Sequence, residues 1–154
     1  MKRFHVNVAV KSIDDSVEFY NKLFNLKPSV VKHNYAKWEL TDPAVNFSIV
    51  DGDGIYGVDH LGIQYDSQDG VDEAIDVLKG SKYEYEVQAS IECCYSKSSK
   101  VWANDPQNVR WEQFVTSGSS EKFSGKTEID NENNKDNDKE ESKLKVSQSD
   151  KCCR

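Results

Sequence analysis

Phe4-His5-Val6-Asn7-Val8-Ala9-Val10 alternates with a period of two, as a half-buried strand does. Phe4, Val6, Val8 and Val10 share one face, and His5, Asn7 and Ala9 share the other. The pattern returns in Asp59-His60-Leu61-Gly62-Ile63-Gln64-Tyr65, with His60 in the place of His5. A helix is expected after each strand. Ser12 offers an N-cap, followed by Asp14 and Asp15, with Ile13, Val17, Tyr20, Leu23 and Phe24 at helical spacing. Ser67 to Gly80 repeats this, with Val71, Ala74, Ile75 and Leu78 inward and Gly80 as C-cap. Three short strands then follow each helix. They are expected at about 29–33, 35–40 and 45–50, and again at about 85–93, 100–104 and 108–115. Asp42-Pro43 and Asp105-Pro106 supply turns, and Asn108 can take the left-handed backbone that the second turn needs. Each half reads βαβββ, so the class is α+β. Two copies, at about 1–54 and 55–117, are expected to pair around one cleft.

The chain has 154 residues and a net charge of −7, enough for one domain and a tail. Nonspecific binding to nucleic acid or anionic lipid needs a basic surface, which this balance excludes. No apolar run approaches the roughly 20 residues of a membrane span. The basic start Met1-Lys2-Arg3 leads into a strand and lacks the apolar core of a signal peptide. From Ser117 onward the large apolar residues are Phe123, Ile129, Leu144 and Val146, and Glu128–Glu141 is nearly pure Asn and charge. Such a segment cannot bury enough apolar surface to offset its ordering entropy, so 118–154 is expected to be a flexible tail.

The four cysteines fall in two adjacent pairs, Cys93-Cys94 and Cys152-Cys153. A disulfide framework spaces its cysteines apart. Bridging neighbours closes a small strained ring, whereas adjacent thiolates chelate a soft ion well. Free thiols in a reducing cytosol are therefore expected. In a regular strand Cys93 and Cys94 would face opposite ways, so joint chelation requires a turn or bulge there. A mobile loop over Cys93–Ser99 is expected to close over the site. Tyr95 and Lys97 either line the pocket or sit in solvent. Cys152 and Cys153 are either a second soft-ion trap or unrelated.

His5 and His60 hold equivalent places among small or polar neighbours. Glu112 lies on the face of its strand opposite Val109, Trp111, Gln113 and Val115. Two imidazoles and one carboxylate match the facial triad of non-haem Fe(II) oxygenases; Zn²⁺ could use the same ligands with a water. His33 reads as a turn residue. Trp38, Trp102 and Trp111 read as core, with at most one lining the cleft.

A histidine at the start of each βαβββ half and an acid on the last strand resemble the vicinal oxygen chelate superfamily of glyoxalases, extradiol dioxygenases and bleomycin resistance proteins. Three segments narrow the likeness. They are Met1–Val10, Tyr35–Leu40 with Asp42–Phe47, and Glu92-Cys93-Cys94-Tyr95-Ser96-Lys97 with Trp102, Asn104-Asp105-Pro106 and Arg110-Trp111-Glu112. These resemble the organoarsenical C–As lyases and their cadmium-induced relatives over about residues 1–117. Gln107-Asn108-Val109 departs from the glycine turn common in those relatives. The resemblance implies Fe(II), or Zn, Ni or Co in its place, on His5, His60 and Glu112. It implies trivalent arsenic on Cys93 and Cys94, and dioxygen-dependent cleavage of methylarsenite or aromatic arsenicals to arsenite. A homodimer is compatible with it. Three other functions stay open: a glyoxalase-like isomerase, a non-catalytic arsenite- or cadmium-binding protein, and a thiol transferase acting on an antibiotic, which does not explain the adjacent cysteines. The isomerase takes a fourth ligand from the last strand of the first half, but Val45-Asn46-Phe47-Ser48-Ile49-Val50 has no His or Glu.

Overall fold

The strand bearing His5, β1 (Arg3–Val10), pairs in parallel with β4 (Ala44–Asp51) and antiparallel with β5 (Gly57–Tyr65). It is therefore the seam between two modules. The computed structural model describes residues 2–121. The first module adds α1 (Ile13–Phe24), β2 (Val30–Lys32) and β3 (Tyr35–Thr41); the second adds α2 (Gln68–Lys79), β6 (Tyr85–Cys93), β7 (Ser96–Asn104) and β8 (Arg110–Ser119). The sheet order is β2-β3-β4-β1-β5-β8-β7-β6. Each module runs β, α, then a three-strand meander whose last strand returns parallel to its first, as the βαβββ reading requires.

Local chemistry sets the ends of α1 as expected. Ser12 is extended and its Oγ accepts from the Asp15 amide, while Asn25 closes α1 in the left-handed conformation. In α2 the N-cap Ser67 makes no side-chain cap bond, and Gly80 closes the helix in a right-handed conformation. Asn108 takes φ 67°, and Asp105 Oδ1 accepts from the amides of Gln107 and Val109, so the turn survives without a glycine.

The helices cover the outer face. Under α1, fully buried Trp38 and Ile49 pack with Val10, Ile13 and Phe47, joined by Tyr20 and Phe24. Trp38 Nε1 donates to Asn21 Oδ1 at 3.0 Å, which pays for burying its one polar atom. Under α2 the cluster is smaller: Ala74, Tyr85 and Val101, with Tyr65, Ile75 and Leu78 against it. Burying a large apolar side chain contributes roughly 1.5–3 kcal/mol, so these clusters anchor the helices.

The inner face stays polar and concave. The sheet curls far enough for its two outer hairpins to meet: Tyr95 Oη, in the β6–β7 turn, donates to Asn34 Oδ1, in the β2–β3 turn, at 2.7 Å. Exposed His33 sits in that same turn, as read. No helix among the described residues is long and apolar enough to cross a membrane. The tail expected from residue 118 starts later, because Gly118 and Ser119 still pair with Lys97 and Ser96 at the end of β8; from residue 122 it lies outside the described residues, as do Cys152 and Cys153.

Candidate metal centre and vicinal cysteines

Strands β1, β5 and β8 are neighbours, and each places one polar side chain on the concave face: His5, His60 and Glu112. Gly62 permits the close approach. It pairs with Glu112 in the β5–β8 ladder, and a Cβ there would lie 2.2 Å from the Glu112 carbonyl oxygen. His5 Nε2 lies 3.2 Å from His60 Nε2. Glu112 Oε2 is 3.6 Å from each of them. All three residues are buried.

The outer bonds fix which nitrogen faces inward. His5 Nδ1 is 3.0 Å from the Asn46 carbonyl oxygen, and His60 Nδ1 is 2.7 Å from Asp59 Oδ2. Both partners only accept, so both Nδ1 atoms carry hydrogen and both Nε2 lone pairs turn to one point. Two bare lone pairs at that distance repel. The pair is therefore suited to share a cation, a proton or a metal. Donors about 3.2–3.6 Å apart also suit one ion with bonds of about 2 Å, so the set fits a metal.

The two imidazoles differ in proton affinity. Burial pushes His5 down to about 4, with Glu112 opposing. Burial also disfavours charge on His60, but its bonds to Asp59 and Glu112 outweigh this and raise it. Burial would raise Glu112, yet Lys100 and His60 overcome it and hold the carboxyl well below its usual range. Phe114 meets His5 and Trp102 meets His60 edge-on, each with ring centres 5.1 Å apart. Of the three tryptophans, Trp102 is the one against the site; Trp38 is outer core, and Trp111 packs on Phe4.

The cysteines end β6. Cys94 and Tyr95 both take positive φ, 50° and 62°, as a two-residue primed hairpin turn demands. The turn brings the Cys93 and Cys94 sulfurs to the same side, 3.2 Å apart. The turn needed for joint chelation is therefore present. The expected loop over Cys93–Ser99 is not: β7 begins at Ser96, and Cys93 pairs with Ser96 and Glu92 with Lys97. The expectation of free thiols also fails, because both cysteines are disulfide-bonded. Lys97 pairs with Glu92 at 3.1 Å, half exposed.

His5, His60, Glu112, Cys93 and Cys94 all line one cleft of roughly 470 Å³ including its open mouth. The sequence reading missed two residues here. Asp59 precedes His60 and orients it. Lys100, buried on β7, donates to Glu112 Oε1. The signal for Lys100 was its two-residue spacing from Ser98 and Trp102, which puts all three on the inner face. On β4 the inner-face residues that line the cleft are Asn46 and Ser48, neither of them a His or a carboxylate.

A family described as the Glyoxalase/Bleomycin resistance protein/Dioxygenase superfamily matches residues 2–113. Among relatives, a "probable trivalent organoarsenical cleaving enzyme" of Bacillus subtilis is 37% identical over 79% of this chain and 84% of its own. A "trivalent organoarsenical cleaving enzyme" of Bacillus sp. strain MD1 is 38% identical over 75% and 74%. A "cadmium-induced protein" of Mycobacterium tuberculosis is 29% identical over 80% and 82%. Homoprotocatechuate 2,3-dioxygenase from Arthrobacter globiformis shares the fold, with TM-score 0.59 and 19% identity over 76% of this chain and 36% of its own. The repeated βαβββ modules, the inward triad and these likenesses together establish that the chain belongs to the glyoxalase/bleomycin resistance/dioxygenase superfamily, with the organoarsenical cleaving enzymes among its relatives.

Proposed function

We propose that this protein cleaves the carbon–arsenic bond of trivalent organoarsenicals, methylarsenite and aromatic arsenicals among them, and releases arsenite. The reading rests on one observation above all: two imidazoles, a carboxylate and a pair of adjacent sulfurs open into the same cleft. The names of the Bacillus relatives support it. In this reading 1–117, with β8 running on to Ser119, is the catalytic domain, and the location is the cytoplasm, where thiols are kept reduced.

His5, His60 and Glu112 hold Fe(II). Fe(II), when bound, supplies the redox chemistry with dioxygen that no side chain of the site supplies. Cys93 and Cys94, once their disulfides are reduced, bind arsenic through two sulfurs. Capture holds the organic group inside the cleft and turns an encounter into a positioned reaction, worth up to roughly 7–11 kcal/mol at ideal geometry. Phe114 and Trp102 wall the imidazoles and limit water around them. A glyoxalase-like isomerase is disfavoured because β4 offers the cleft Asn46 and Ser48 and no fourth His or carboxylate.

The test is anaerobic loading of the reduced protein with Fe(II), then exposure to air and methylarsenite. Inorganic arsenite should form, and only when iron and dioxygen are both present. Arsenical binding without arsenite formation would make the protein a sequestering one.

A further inference from the structure

Lys100 is 5% exposed, and lysine is almost never that buried unless paired. Its Nζ donates to Glu112 Oε1. It also lies 5.4 Å from the Trp102 ring centre and 5.9 Å from that of Phe114, the two rings that wall His60 and His5. A fixed cation beside a metal centre is costly, because it repels the ion it adjoins. A greasy side chain in its place would cost less. Retaining Lys100 there calls for a compensating role.

The division of Glu112 supplies one. Its Oε2 faces both Nε2 atoms, while its Oε1 is held by Lys100. A carboxylate free at both oxygens can take two positions on a metal. One restrained at Oε1 offers a single donor. We propose that Lys100 is a positioning residue for the candidate metal centre: it confines Glu112 to one donor oxygen, so three protein atoms occupy one side of the metal and the opposite side stays open to ligands. This rests on the metal role proposed for His5, His60 and Glu112. It has a second consequence. Lys100 neutralises the Glu112 carboxylate, so a bound dication keeps its full charge toward the cleft and favours anionic oxygen ligands there.

The experiment compares wild type, Lys100→Met and Lys100→Arg loaded with Co(II), whose visible spectrum reports coordination number. Thermal melts identify folded variants. Lys100→Met should bind Co(II) at least as tightly as wild type, because a repelling charge is gone, but with an altered spectrum as the second carboxylate oxygen engages. Lys100→Arg should restore the wild-type spectrum. With Fe(II) and methylarsenite, Lys100→Met should lower kcat by about 10–100-fold, the range seen when outer partners of a metal site are lost, with little change in KM. An unchanged Co(II) spectrum in Lys100→Met would overturn the proposal, as would weaker binding in a folded variant. If Lys100→Met does not fold, Lys100→Gln takes the same test, since its amide can still donate to Oε1 and should keep the wild-type spectrum; a changed spectrum there counts against the proposal. The Co(II) readings need no arsenical, so they decide this point independently of whether wild type cleaves methylarsenite.

Discussion

His5 Nε2 and His60 Nε2 stand 3.2 Å apart although 55 residues separate them in the chain. The antiparallel β1–β5 pairing makes this contact, and it is the seam of the two modules. Each imidazole is aimed from behind, His5 by a backbone carbonyl and His60 by a carboxylate. Replacing either histidine by Ala should therefore weaken divalent metal binding by more than about 100-fold, beyond the cost of losing an outer partner. Calorimetric titration with Co(II) checks this; unchanged affinity would remove the metal role.

Asp59 sets both the orientation and the proton affinity of His60. His60 is raised above its ordinary value by Asp59 and Glu112 against the effect of burial, so it keeps a proton to higher pH than His5, which burial lowers to about 4. Metal affinity should fall as pH drops through the His60 value and recover above it. Asp59→Asn should move that transition to lower pH and also reduce the plateau affinity by about 10–100-fold. Titrations across a pH series measure both. A transition that stays in place in Asp59→Asn would contradict the assignment.

Gly62 sets the spacing of β5 and β8 at the site. In Gly62→Ala the new Cβ would collide with the Glu112 backbone, so one strand must shift. Both metal binding and thermal stability should drop together, the latter by about 1–3 kcal/mol as in other overpacked sites. Wild-type affinity with intact folding would show that Glu112 tolerates the displacement.

In the proposed function the cysteines act on the substrate rather than on the metal. Cys93→Ala or Cys94→Ala should abolish arsenite formation while Fe(II) content stays at the wild-type level. Oxidised wild type should behave as these variants do until a reductant is added. Iron analysis beside the arsenic assay separates this from loss of the metal site.

How much of this was legible in the chain varies by residue. His5 and His60 could be read because period-two alternation fixes the face of a strand residue, and Glu112 followed from the same logic. The βαβββ order followed from caps and turns. Lys100 escaped because its importance lies in a partner that strand register brings close, and the β7–β8 register is not written in either strand; Asp59 escaped because neighbouring strand residues ordinarily face opposite ways, which hides its contact with His60. The 93–99 segment was misjudged for a different reason. A primed two-residue turn normally announces itself with Asn-Gly, whereas Cys94-Tyr95 takes positive φ without either residue. The oxidation state of the cysteines also lay beyond the pattern, since adjacency argues only against a bond between the two.

The central claim is that the arsenic clamp and the metal share one cleft. The most direct measurement titrates methylarsenite into reduced, Co(II)-loaded protein and follows the visible Co(II) spectrum. The account predicts a change that saturates at one equivalent and vanishes in Cys93→Ala and Cys94→Ala. Tight arsenical binding by the cysteines with a Co(II) spectrum that does not move would contradict it.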